Sequence, residues 1–398
     1  MKRSLYAQLA IMMFLQYVVN GSMLPIFSHY LLNYLHFEPE KIGIIMGMPA
    51  LAALIAPAVA GQIADRYLSA ERMLGLCHLI GGVLMYALSR QTEYGPFLWL
   101  YVAYSMLFVP TLALTNTVAL HHVPSAKKDF ARVRLWGTIG WVSIAWAFGF
   151  LWLGGENATE RLADALKLSA VASWVLAAYT LTLPRSPHAG PPPPFAPWKA
   201  IRLFLRPSLL VLTACMFVSS IAMQFYYYGA GPYLSSLGVP NRALMPLLSA
   251  GQMAEVVAMA FLATLQVRFG FKALLIAGSL IQTARFTLFA FLPALPLTVL
   301  GIAGHGVYFA LFFITAFIYL DTHSGATERA RAQQFFNIIA FGIGAVLGFR
   351  LAGLIAQTLR SSLTGAVDYH YFWAVPAALA LAVSITLALA FREEKPLV

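Results

Sequence analysis

Apolar residues run in long blocks, each about the 20 residues a helix needs to cross the hydrocarbon core of a bilayer. Short breaks rich in glycine, proline or charge separate them. A window of about 19 residues predicts helices near 6–32, 42–64, 72–90, 97–120, 131–153, 163–183, 208–235, 242–266, 271–292, 296–320, 330–358 and 369–391. The breaks carry turn chemistry, as in Tyr94-Gly95-Pro96, Gly154-Gly155 and Gly238-Val239-Pro240. The expected fold is all-α and integral to the membrane. Twelve spans, being an even number, place both chain ends on one side.

The longest polar stretch follows the sixth span and ends in Pro191 to Pro194, a run that favours an extended, semi-rigid linker. It divides the chain into an N-terminal six-helix lobe (1–183), a linker (184–204) and a C-terminal six-helix lobe (205–398). A weak internal repeat agrees: Gln16-Tyr17 with Gly21 matches Gln224-Phe225 with Gly229, and Ala131-Arg132 opening the fifth span matches Ala330-Arg331 opening the eleventh. Both matches keep span order across the linker, as duplicated transporter halves do.

Composition strengthens this picture. Of the 398 residues, 60% are apolar and 10% charged, against about 45–50% and about 25% in soluble domains. A soluble enzyme is thereby excluded. The formal net charge of +11 does not point to nucleic acid, because the basic residues sit in loops. Seventeen of the 26 Lys and Arg residues fall on the side of the chain ends, seven on the other, and Arg134 and Arg285 inside spans. Positive residues are retained in cytoplasmic loops, so both termini are expected in the cytoplasm of an inner-membrane protein. The basic start Met1-Lys2-Arg3 leads into an apolar run to Leu32 without a cleavage pattern, and reads as the first span. Cys77 and Cys215 lie in apolar runs and give neither a disulfide framework nor metal-ligand spacing. No Gly-x-Ser-x-Gly, no His-Glu-x-x-His and no paired intramembrane carboxylates occur, so neither an enzyme nor a cofactor is expected.

The chemistry lies in the few polar residues within the spans. Glu255 is the acid set deep in an apolar run, and an intramembrane carboxyl marks a functional site; it is the candidate proton-coupling group. Helix depth places Arg285 of the ninth span near its level, as an ion-pair partner. Gln252 precedes Glu255 by three residues and shares its helical face. Gln224 in the seventh span is followed by Phe225, Tyr226, Tyr227 and Tyr228, and an amide beside aromatic rings suits a flat polar ligand. Arg134, Thr138 and Trp141 fall on one face of the fifth span. Gln16, Asn20, Thr115, Asn116, Thr117, Asn337 and Tyr308 read as interhelical hydrogen bonds. His305 reads the same way, although an imidazole can also carry a proton. Asp65 and Arg66, in the tight loop after the second span, suit a charge latch made in one lobe arrangement and broken in the other.

The loop Gly61-Gln62-Ile63-Ala64-Asp65-Arg66 resembles the loop 2–3 signature of the major facilitator superfamily. Val133-Arg134-Leu135-Trp136-Gly137-Thr138-Ile139-Gly140, with Pro110-Thr111-Leu112, Asn116-Thr117 and the 64–70 stretch, is similar to the nucleoside:proton symporter family within it. That resemblance implies a cavity lined by Arg134, Thr138, Trp141, Gln224, Gln252 and Glu255, with the position of Tyr227 and with Phe309 on the tenth helix. Two positions depart from the family pattern: Tyr227 stands where an asparagine is expected, and Ala310 where an aspartate is expected. The expectation is a monomeric carrier in the lipid bilayer that imports a nucleoside, or a similar polar ring compound, with protons by alternating access. The alternatives are a carrier or exporter of an aromatic acid, sugar or drug, and a non-transporting receptor.

Overall fold

A computed structural model describes residues 3–125, 129–155, 157–186, 197–325 and 328–394, without the side chains of 56–67, 197 and 199. Among the described residues the chain is helical, with one isolated bridge between Arg360 and Val367. The spanning helices are α1 (Arg3–Asn33), α2 (Pro39–Tyr67), α3 (Ala70–Leu88), α4 (Tyr94–His122), α5 (Asp129–Trp152), α6 (Glu160–Thr182) and α7 (Pro207–Ser236). They are followed by α8 and α9 within Asn241–Phe291, then α10 (Leu295–Thr322), α11 (Arg329–Thr358) and α12 (Tyr369–Ala390). α8 (241–269) and α9 (271–291) meet at Gly270, whose φ of 76° breaks the helix without a loop. A left-handed conformation costs glycine nothing, and one residue there suffices to turn the chain. The break expected near 266–271 is thus a single-residue kink.

Local sequence explains the interruptions. Pro25 lacks a backbone donor, and α1 tightens to a 3-10 turn at Leu24–Ile26. Asp368 caps α12 by accepting from the backbone of His370 and Tyr371. α10 and α11 each loosen by a π-turn, Phe309–Ile314 and Ile338–Gly344. Such turns gather at functional sites.

The chain forms two compact units: Met1–Phe37, Leu51–Pro194 and Val239–Ser249 in the first, and Glu38–Ala50, Phe195–Gly238 and Ala250–Val398 in the second. Each unit therefore takes in the start of a helix whose remainder belongs to the other, at corresponding places in α2 and α8. In unit 1 the start of α8 is held by Trp146 donating to Ser249 Oγ at 2.8 Å and by His29 bonded to Asn241 at 2.9 Å. In unit 2 the start of α2 is held by Tyr228, whose hydroxyl donates to the Pro39 carbonyl at 2.9 Å, and by Arg350 paired with Glu40 at 2.6 Å.

Unit 1 packs around Leu9, Met12, Leu74, Val118, Val133 and Leu176, and unit 2 around Leu212, Met216, Leu275, Phe312, Phe336 and Leu387. Large apolar side chains also stand exposed, among them Leu79, Val83, Phe150, Leu151, Val257 and Phe261. A soluble protein would bury such a population, whereas membrane-spanning helices leave it on their surface. With lipid as apolar as the side chains, helices associate by close packing of small residues. A Cβ on Gly140 of α5 would fall on the Phe14 carbonyl of α1, so only glycine permits that approach.

Candidate functional site

In unit 1, α5 presents Arg134, Thr138 and Trp141, all half-buried. The Arg134 guanidinium lies 4.2 Å from the centre of the Tyr17 ring of α1, a cation–π contact that fixes its direction. The close α1–α5 packing produces this contact, and Gly137 sits under it with no room for a side chain beside Tyr17. Behind this face, Gln16 knits three helices. Its Nε2 donates to Thr111 Oγ1 at 2.9 Å, and its Oε1 accepts from Thr115 at 3.0 Å and pairs with His78 Nε2 at 2.8 Å. All four groups are buried, so Gln16 and Thr115 are the interhelical hydrogen bonds expected of them. His78 completes the network, and nothing in its own sequence neighbourhood singles it out.

In unit 2, α8 meets α10 closely. A Cβ on Gly306 would strike the Gly251 carbonyl and lie 2.4–2.9 Å nominally from the Glu255 backbone, which glycine avoids. This brings the Gly251–Glu255 stretch of α8 against the His305 turn of α10, and Gln252 and Glu255 within it are both half-buried. Gln252 Oε1 is buried without a hydrogen-bond partner. The His305 ring stacks on Tyr226 of α7 with centres 4.4 Å apart, and its Nε2 is 3.4 Å from the Tyr227 hydroxyl. Tyr227 is thus drawn to α10, while Tyr228 is spent on the α2 start. Gln224 is buried, and its Nε2 donates to the Ser220 carbonyl of its own helix at 3.1 Å.

Arg285 of α9 is 1% exposed. Its guanidinium carbon lies 4.3 Å from the Tyr226 ring centre and 4.5 Å from that of Phe286, and its three side-chain nitrogens have no hydrogen-bond acceptor. The pair expected with Glu255 is therefore not a hydrogen-bonded one in this conformation; the cation rests on rings instead. Neither Tyr17 nor Tyr226 stands out in the sequence as a cation's partner, because each lies on a different helix from its arginine. Gln282, one helical turn before Arg285, is also buried, with its amide near the Tyr308 hydroxyl. Phe309 is half-buried and opens the π-turn of α10, stacking on Phe313 at 5.4 Å, and Ala310 beside it is fully buried. The Asp65 and Arg66 side chains fall outside the described residues. Among the described residues, no cluster of three or more His, Cys, Asp and Glu side chains could hold a metal.

Chemically, unit 2 offers one carboxyl, one buried guanidinium, stacked aromatic rings and amide and imidazole atoms lacking partners. Native interiors leave few buried polar atoms unsatisfied, so a concentration of them on neighbouring helices fits a site that receives a polar ligand or water. Unit 1, taken by itself, presents a cation, a hydroxyl and an indole on one face of α5.

A family model described as "Nucleoside H+ symporter" matches residues 2–396. The xanthosine permease of Escherichia coli (strain K12) is 30% identical, with 98% of this chain and 96% of that protein covered. The nucleoside permease NupG of the same organism is 27% identical, with 98% and 95% covered. A crystal structure of the nucleoside transporter NupG superposes with a TM-score of 0.86 at 24% identity, covering 99% of this chain and all of that one.

Proposed function

The chain belongs to the nucleoside H+ symporter family, and from that premise we propose that it imports a nucleoside with protons by alternating exposure of its substrate site to the two sides of the membrane. It is a multi-pass inner-membrane transporter of the major facilitator fold, not an enzyme. The observation that carries the reading is the Gly251–Glu255 stretch of α8, which holds Glu255 and Gln252 with its unpartnered oxygen and packs on the His305 turn of α10. The amide meets the edge of a base. The carboxyl takes up a proton on the outer side and releases it on the inner side. Arg134, Thr138 and Trp141 on α5, with Gln224, Tyr227 and Phe309, complete the contacts to substrate. Arg285 and the Asp65–Arg66 loop serve the conformational cycle. The lobes 1–183 and 205–398, joined by the 184–204 linker, move as units, in a monomer surrounded by lipid with both termini in the cytoplasm.

Two positions favour a second reading within transport, a polar ring compound other than a nucleoside. Tyr227, at 3.4 Å from His305, stands where the family resemblance expects a carboxamide, and Ala310 where it expects an acid.

Both readings meet one experiment: uptake of labelled uridine and adenosine by cells lacking their own nucleoside carriers, with and without a protonophore. Accumulation that collapses with the proton gradient supports nucleoside import. Folded protein without uptake refutes it and moves the search to other ring compounds. In the same assay Glu255→Gln should keep substrate binding and lose proton-driven accumulation; normal concentrative uptake by that variant would remove Glu255 from the coupling role.

A further inference from the structure

Away from the transport residues, a cleft of about 600 Å³ opens in unit 1 between the start of α3 and the end of α6. Arg72 and Arg185 stand exposed at it, and Glu71 is buried beside them. Glu71 Oε2 accepts the Ser186 backbone N–H at 3.2 Å, which pins the segment carrying Arg185 to the start of α3, where Arg72 follows Glu71. Apart from Thr180 the rest of the lining is apolar, with Leu76 and Leu79 on α3 and Trp174 and Leu181 on α6. Leu79 is 52% and Leu181 85% exposed, so this wall is open to the surroundings.

Charge and length together specify an occupant. Two guanidiniums against one carboxylate leave a single net positive charge, the complement of one phosphodiester. On α3 the exposed Leu76, Leu79, Ile80 and Val83 continue from Arg72 along one face. The eleven residues from Arg72 to Val83 rise about 16 Å, half of the roughly 30 Å hydrocarbon core and hence the depth of one leaflet. A free anion would use the arginines and leave the wall bare; a lipid held only by its tails would ignore the arginines.

We propose that this cleft is a binding site for one membrane phospholipid with a singly charged anionic headgroup. Its phosphate lies on Arg72 and Arg185, and one acyl chain lies along Leu76, Leu79 and Leu181. Basic pockets between membrane helices bind anionic headgroups on the same principle. The lining contains none of the proposed transport residues, and its occupancy is read without any transport measurement.

The test is thermal unfolding and native mass spectrometry of the purified full chain in detergent. The probes are phosphatidylglycerol, phosphatidylcholine with the same acyl chains, and water-soluble glycerol phosphate. Phosphatidylglycerol should bind one per chain and raise the melting temperature more than phosphatidylcholine does, while glycerol phosphate does neither. The double variant Arg72→Gln/Arg185→Gln should weaken phosphatidylglycerol binding by about tenfold or more and abolish the headgroup preference. Arg72→Lys/Arg185→Lys should retain it. Ala178→Trp keeps both arginines but fills the cleft, and should displace the lipid even if the double variant fails to fold. Undiminished phosphatidylglycerol binding in Ala178→Trp, an unchanged preference in the double variant, or equal binding of glycerol phosphate would each overturn the proposal.

Discussion

Arg285 is the residue whose energetics ask most of the fold. A buried cation without an acceptor forfeits several kcal/mol of hydration, and the Tyr226 and Phe286 faces at 4.3 and 4.5 Å return about 0.5–2 kcal/mol each. Desolvation wins, so the resting place of the cation is costly, and we propose that the residue is retained for function. Arg285→Met, of similar length and no charge, is therefore expected to match or exceed the stability of the native chain in thermal unfolding while losing uptake. A loss of stability of about 3–5 kcal/mol, the cost of breaking a structural buried pair, would show instead that the guanidinium holds the fold together. Arg134, half-buried over Tyr17 at 4.2 Å, bears a smaller penalty, because water still reaches it.

Among the helices, the α8–α10 contact sets the geometry of the proposed proton site. Gly306 lies against the Gly251 carbonyl and the Glu255 backbone, whereas a Cβ on Gly304, half a turn away, would meet only Ile281 Cγ2 at 3.5 Å. Gly306→Ala must push the helices apart, an overpacking cost of about 1–3 kcal/mol, and shift Glu255 with them. Gly304→Ala should be neutral. Comparing melting temperature and uptake of the two variants checks this, and a tolerated Gly306→Ala would mean that α8 and α10 can separate without consequence. The π-turn that opens at Phe309 belongs to the same scale: it loosens α10 over Phe309–Ile314, the kind of interruption that gathers at functional sites.

At the scale of the whole molecule, the excess of basic residues on one side predicts the topology. A reporter fused at the C-terminus, and one inserted at 184–204, should both be active as cytoplasmic fusions and silent as exported ones; activity on the outside would reverse the orientation. Periodicity and length determined that the chain spans a membrane with all its helices, because a backbone in lipid must satisfy its hydrogen bonds within each helix, and twenty apolar residues in a row leave little choice. The same logic singled out Glu255, Gln252 and Arg134 as the candidate site residues, since polar groups in such runs are costly. Which groups face one another was decided only by tertiary packing. The rings under Arg134 and Arg285 come from Tyr17 and Tyr226 on other helices, and His78 finds Gln16 across a bundle. The exchange of the α2 and α8 starts between the two units likewise follows from where helices touch. Such contacts depend on a few ångströms of helix separation, set by glycines such as Gly140 and Gly306, and hydropathy carries no measure of that distance.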